Sequence, residues 1–354
     1  MIYPANFEEK IGFDRIREQV TALCSTPSAK AKLAEEGFST SADEIERRLS
    51  LMNEMRSLLM LERDFPDGDY PDPAPLVAKI RVEGSYLLAA EADQLRKALV
   101  TVGAIAEFIL GRGGAHYPRL WELSRRVTLF PEIVRAIDAI LDDRGEVKDS
   151  ASPELQQVRR AIREREGQAA KRLQQVLQRA KQAGIVDADA VLSVRDGRPV
   201  IPVAAANKRK LQGFIHDESA TGRTFYVEPV EVVEINNELK ELEYAERREV
   251  VKVLSAFTES IRLDAEAIAD AGDYLSSVDM IRAKARWALA NDAGKPILST
   301  DDRLELRTAR HPLLQQTLRA QGREVVPLDL ALDRRKHILV ISGPNAGGKS
   351  VCLK

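Results

Sequence analysis

Apolar positions in the first 150 residues recur at helical spacing, as Ile45, Leu49, Met52 and Met55 in one run and Leu87, Leu95, Leu99 and Val102 in another. The helices this predicts are short. Gly- and Pro-rich stretches interrupt the pattern at 64–75 (DFPDGDYPDPAP) and 111–118 (GRGGAHYP), both read as loops. At Ser152 the texture changes. A Ser N-cap followed by Pro at the first helical position opens a run whose Leu155, Val158, Ile162, Ala169, Leu173, Val176 and Ala180 lie three and four apart. A second run of this kind extends from Val232 through Ile235, Leu239, Leu242, Phe257 and Ile261 to Ile268. About 30 residues of helix make an arm of roughly 45 Å.

Between the arms the period shortens to that of strands. VLSVRDGRPVIPV (191–203) is two β-rich runs around Asp196-Gly197, a hairpin signal, and LQGFIHDESATGRTFYVEPV (211–230) repeats the pattern around 220–223. Pro199 and Pro202, which lack a backbone N–H, place the return strand of the first hairpin at a sheet edge. Beyond Ala293-Gly294-Lys295-Pro296, the runs LELRTARHP, VVPLDLAL and HILVIS predict strands, the last buried in a parallel sheet. The expected fold is multidomain and mainly α: a helical core, a long antiparallel coiled arm, a small β tip and the start of an α/β domain. The boundaries are 1–150 for the core, 151–190 for the outgoing arm and 191–229 for the tip. The returning arm follows at 230–272, a core helix and linker at 273–296, and the α/β segment at 297–354.

Charge changes this picture in one place. The chain carries 53 basic and 55 acidic residues, which excludes a globally basic nucleic-acid coat. Locally, 151–184 holds eight Lys/Arg against three Asp/Glu, and 231–270 holds five against eleven. Two helices of matching length and opposite charge are read as partners of each other, an arm rather than a binding face. Cys24 and Cys352 stand far apart with no metal-ligand spacing, so neither a disulfide framework nor a zinc site is expected, which suits a reducing cytoplasm. The first residues lack the basic-then-apolar order of a secretory signal, and no stretch approaches 18 consecutive apolar residues. A soluble, cytoplasmic protein with no membrane partner is expected.

The chemistry is concentrated in Gly343, Pro344, Asn345, Ala346, Gly347, Gly348, Lys349 and Ser350, which fit the phosphate-loop pattern G-x-x-x-x-G-K-[ST] at every position. Glycines let backbone N–H groups converge on phosphate oxygens. Lys349 is then expected to reach the β and γ phosphates of ATP, and the Ser350 hydroxyl to ligate Mg²⁺. Only four residues follow Ser350, too few to supply a second acidic strand end or a group to orient water, so hydrolysis is not expected of this chain by itself. In and beside the β tip, Arg195, Arg198, Lys208, Arg209, Lys210 and Arg223 are candidates for contact with a nucleic-acid backbone; ordinary solvated hairpin ends would look the same. His216-Asp217-Glu218 cannot converge on one ion from alternating faces of a strand and is read as structural or surface. His311-Pro312 is placed near the nucleotide, while His116 and His337 are scattered.

The order helical core, arm, β tip, returning arm, phosphate loop resembles that of the MutS proteins, and GPNAGGKS preceded by ILVIS is similar to their form of the loop. TARHP and VVPLDLAL resemble the opening of their ATPase domain. VRDGRPVIPV, GFIHDESATGRTFYVEP, VEINNELKELE and the N-terminal GFDRIREQVTALCSTPSAKAKL narrow the resemblance to the bacterial MutS-two (endonuclease MutS-like) subfamily, over essentially the whole chain. The resemblance implies a homodimer that closes around nucleic acid, with ATP sites completed in trans. It also implies links to branched DNA, suppression of recombination, DNA repair and collided ribosomes, hence ribosomal RNA. Full-length members are ATPases (hydrolases) with an endonuclease domain, so the chain is expected to be a piece that lacks the rest of the ATPase and the nuclease. Phe7-Glu8-Glu9 matches the mismatch wedge of true MutS only by coincidence, since that domain is missing here. Two rival readings are a non-catalytic interaction or scaffold module with an idle phosphate loop, and an SMC-like ATPase, which the motif order disfavours.

Overall fold

A computed structural model describes residues 4, 6–195, 197–343 and 348–352. The chain is mainly helical. Its first part holds α1 (Phe7–Ile11), α2 (Phe13–Ala22), α3 (Pro27–Glu35), α4 (Ala42–Leu61), α5 (Ala74–Ile80), α6 (Ala89–Gly111), α7 (Pro118–Ser124) and α8 (Pro131–Ile140). Then come α9 (Pro153–Gln182), β1 (Ser193–Arg195), β2 (Arg198–Ala204), β3 (Gly213–Glu218), β4 (Thr224–Pro229) and α10 (Val230–Ser260). The last part holds α11 (Ala265–Ala290), β5 (Leu304–Ala309), α12 (Pro312–Ala320), β6 (Leu328–Leu332) and α13 (Lys349–Cys352). These divide into two compact units, one of 1–81, 94–134 and 263–354, the other of 82–93 and 135–262.

The first unit is organised on α11. One side of this helix gives Ala271, Tyr274, Leu275, Val278, Ile281 and Ala285 to a core that α4, α6 and α7 complete with Met55, Leu58, Val102, Ile105, Ile109 and Leu120. The other side packs Ala283 against Val20, Cys24, Ala29 and Leu33. Two charged groups lie fully buried between these surfaces. Arg282 pairs with Asp279 at 3.0 Å, donates to Gly68 O and Ser25 Oγ, and stacks on Tyr70; Asp279 in turn accepts from Thr26 N and Oγ1. A buried charge is tolerable only when partnered in this way. The network ties the loops at 25–26 and 67–70 to α11.

The second unit is the paired arms and the β tip. Ser152 Oγ accepts from Leu155 N and Pro153 follows it, the expected start of α9. The helix ends in a Schellman turn: Gly184 adopts φ +66°, its N–H bonds Lys181 O, and Ile185 N–H bonds Ala180 O. Helix α10 runs antiparallel to α9, since Arg159 pairs with Glu246 at 2.7 Å and Arg165 with Glu238 at 2.9 Å, positions rising on one helix as they fall on the other. The apolar pattern extends the second arm to Ile268. The structure stops it at Ser260, and a 3₁₀ turn at Arg262–Asp264 leads into α11. Such a turn advances about 120° per residue, close to the helical value, so the periodicity passes through it without a visible break.

Both expected hairpins form, and together they make one antiparallel sheet in the order β1-β2-β4-β3. Strand β2 is therefore interior in the order, not an edge as its prolines imply. The register explains how Pro199 and Pro202 are accommodated. Strand β1 pairs with β2 only over Arg198–Val200 and β4 only over Ile201–Ala204, so each proline has a neighbour on one side alone. Val200, Ile201, Val203 and Val227 are buried, and the last three pack on Leu173, Val176, Leu177 and Ala180 of α9 and Val232 of α10. Strand β4 ends at Pro229 and α10 begins at Val230, with no residue between them.

The last segment departs most from expectation. LELRTA and LDLAL form the antiparallel pair β5–β6, but HILVIS is not a strand, and Ile338, Leu339 and Val340 are exposed. A parallel-sheet strand needs neighbours to satisfy its backbone and cover its side chains. Among the described residues, none lies beside this run.

Candidate nucleic-acid interface and phosphate loop

The six basic candidates of the tip fall into two groups. Arg195 lies over the Tyr226 ring at 3.8 Å and pairs with Asp217 at 2.9 Å. Arg198 is directed inward, where its Nη1 reaches both carboxylate oxygens of Glu228 at 2.8 Å and its Nη2 donates to Asn237 at 3.0 Å. These two arginines brace the sheet. The other four are exposed and share one end of the tip: Lys208, Arg209 and Lys210 in the loop after β2, and Arg223 in the turn before β4. The two segments are joined by the bond from Ala205 N to Arg223 O, 2.9 Å. Lys208 rests its ammonium 4.5 Å from the centre of the Phe225 ring, and among the described residues none of the four has an acidic partner. A polar clamp fixes their loop, because the Asn207 amide donates to Ile185 O at 3.0 Å and to Gly184 O at 3.4 Å, where α9 has just ended.

The bracing group is Glu228, 1% exposed. It accepts from Arg198, from Asn236 Nδ2 at 2.6 Å, and faces His216 Nε2 at 2.5 Å. Burial alone would push its carboxyl up; the bonds from Asn236, His216 and Arg198 outweigh that and hold it below the usual carboxylate range. His216 reaches inward because β3 carries a bulge between Ile215 and Asp217. The structural reading of His216-Asp217-Glu218 is consistent with this, since His216 faces Glu228 and Asp217 pairs with Arg195. The sequence reading missed Glu228 and Asn236. A carboxylate in the otherwise apolar run TFYVEPV, eight residues before an Asn on the next helix, was the available sign.

Of the phosphate loop, Pro344, Asn345, Ala346 and Gly347 lie outside the described residues, as does Asp196 of the first hairpin. Gly343 and Gly348 flank that gap with φ +149° and +81°, angles that glycine adopts without strain. Lys349 and Ser350 open α13, whose first turn closes through Val351 N and Cys352 N on Gly348 O. The Lys349 ammonium folds back onto the Gly343 carbonyl. One ammonium and one neighbouring hydroxyl are a donor set that fits a nucleotide phosphate with its Mg²⁺, which takes most of its ligands from phosphate oxygens and water. His311 caps α12, its Nδ1 accepting from Leu314 N. In Phe7-Glu8-Glu9, Glu8 pairs with Arg17 at 2.7 Å and Phe7 packs near Phe38. No helix among the described residues is long and apolar enough to cross a membrane.

No protein-family model matches the chain. Individual relatives do. The chain is 32% identical over 344 residues to a protein named Endonuclease MutS2 from Bacillus velezensis, covering 97% of this chain and 43% of that one. It is 33% identical over 355 residues to the Endonuclease MutS2 of Thermomicrobium roseum, with 97% and 44% covered, and 32% identical over 346 residues to that of Pelotomaculum thermopropionicum, with 98% and 43% covered. The chain thus spans less than half the length of these curated relatives.

Proposed function

The chain is homologous to the MutS-two proteins along 97% of its length, and from that premise we propose that it is the clamp and nucleotide-binding portion of such a protein. In this reading the tip contacts a nucleic-acid backbone and the loop from Gly343 to Ser350 holds Mg·ATP. One observation carries it: Lys208, Arg209, Lys210 and Arg223 are gathered and exposed at one end of the tip and, among the described residues, have no acidic partners. Phosphate oxygens are the groups that such a cluster binds, whatever the base sequence. Branched DNA and ribosomal RNA both present them, and a homodimer would bring two tips to one duplex. At the loop, Lys349 is the residue that neutralises phosphate charge and Ser350 the one that contacts the metal; bound Mg²⁺ would supply further charge neutralisation at the phosphates. ATP hydrolysis and endonuclease activity belong, in this reading, to the longer protein.

The test is binding of the chain to a labelled DNA duplex before and after Lys208/Arg209/Lys210→Ala. Removing three phosphate contacts is expected to lower the slope of log affinity against log salt by about 3. Unchanged affinity and slope would refute the tip contact and leave the arm as a scaffold module.

A further inference from the structure

Complementary charge explains only part of the basic excess on α9. The pairs that cross to α10 use Arg159 and Arg165, both in the half of the helix away from the tip. The half nearer the tip is different in kind. From Gly167 to Val186 there is no Asp or Glu, while Lys171, Arg172, Arg179 and Lys181 alternate with five glutamines. The seam here is Leu173, Val176, Leu177 and Ala180, all buried. At 100° per residue, Lys171, Gln174, Gln175, Gln178, Arg179 and Gln182 fall within about 140° of arc centred opposite that seam. All six are exposed, and they line a shallow trough of about 500 Å³ along the helix. Among the described residues Lys171, Arg172 and Arg179 have no acidic partner. The exposed residues of α10 are mixed in sign, with Glu234 and Glu241 but also Lys240, Arg247 and Arg248.

We propose that this outward face of α9 is a phosphate-binding track, continuous with the tip loop, along which the backbone of a bound nucleic acid lies. The proposal rests on the clamp reading above and extends its contact from the tip down the arm. Three features support it together. Lys, Arg and Gln are the donor side chains that contact phosphate and sugar without reading sequence, and no acid interrupts them. The stripe from Gln168 to Gln182 is about 21 Å long, room for several phosphates of a duplex with one charge per ~1.7 Å. At its end, Asn207 is hydrogen-bonded to the Gly184 and Ile185 carbonyls, which brings the loop of Lys208, Arg209 and Lys210 to the end of α9, where the exposed Asp187 and Asp189 follow.

The experiment titrates the full chain against a labelled DNA duplex and an RNA duplex, each of about 30 base pairs, from about 50 to 200 mM salt. The variant Lys171/Arg179→Gln keeps helix-forming residues, and circular dichroism with thermal melting verifies its fold. It is expected to lower the salt slope by about 2, separately from the tip variant and in addition to it. Gln175/Gln178→Glu, which places acid in the track, is expected to weaken binding to whichever duplex the chain prefers. If the tip variant loses affinity while the arm variant keeps wild-type affinity and slope, the track is overturned and the tip reading stands. If the arm variant loses slope and the tip variant does not, the tip reading falls and the track remains. A drop in affinity at unchanged slope would mean the stripe does not contact phosphate. A change of sedimentation mass in Gln175/Gln178→Glu, with duplex binding intact, would make the stripe a contact between copies of the chain. Either of these outcomes also overturns the proposal.

Discussion

The β tip and the segment that carries the phosphate loop are both short, punctuated by Gly and Pro, and rich in Val, Ile and Leu. Only the tip encloses a core. In the tip each strand finds a partner within forty residues, and the sheet they form lies on apolar positions of α9 and α10. A carboxylate buried between strand and helix is satisfied by three side chains from three elements. In the loop segment the most apolar run of the pair, Ile338 to Ile341, has no neighbouring strand among the described residues, and Ile338, Leu339 and Val340 face solvent. The contrast shows that an apolar run specifies a strand only where another strand is available to pair with it. Composition sets the propensity, and pairing decides the outcome.

Five substitutions at four positions sharpen this contrast. The largest effect is expected at Glu228. Glu228→Ala leaves Arg198 without its carboxylate inside the tip, and should cost about 3 kcal/mol in urea unfolding. The sign of its pH dependence follows from the depressed carboxyl: the stabilisation is present above the unfolded value near 4.5 and is lost as pH falls through the lower folded value. Glu228→Gln should flatten that acid limb, and a limb that persists in Glu228→Gln would place the titration elsewhere. Next is Gly213→Ala. A Cβ there would sit 2.2 Å from Glu228 O, a backbone atom that cannot step aside, so β3 must shift from β4 at a cost of about 2 kcal/mol. A loss below about 0.5 kcal/mol would show that the strand edge yields freely. The smallest effect on stability is expected in the loop segment: Val340→Ser and Lys349→Ala should each remain within about 0.5 kcal/mol of the parent chain. Lys349→Ala should nevertheless abolish binding of Mg·ATP measured by calorimetry, and retained binding would remove the loop from the nucleotide site.

Much of the architecture was readable because it rests on local signals. Ser152-Pro153 starts α9, a glycine turn closes each hairpin of the tip, and three-and-four spacing marks both arms. What could not be read depends on positions distant in sequence. Glu228 looks like any strand carboxylate until Asn236 and the bulge at His216 are seen to converge on it. The interior place of β2 depends on a stagger between two neighbours that no proline pattern encodes. The basic excess of α9 was counted whole, and only the helical phase separates the arginines that pair across the arms from the residues that face outward. The buried Arg282–Asp279 pair was missed for a related reason, since a charged residue three positions from its partner on a helix ordinarily marks a surface.

Strand β4 passes into α10 without a linker, and this has a mechanical consequence. A hinge needs a few backbone dihedrals free to turn. Here Pro229 holds its own φ, and the next N–H, that of Val230, is bonded to Gln212 O at 3.1 Å. The other junction is tied as well, by the Schellman turn and the Asn207 amide. Torque applied at the tip is therefore transmitted through both helices to the far end of the arms, so that tip and arms turn together as a single lever.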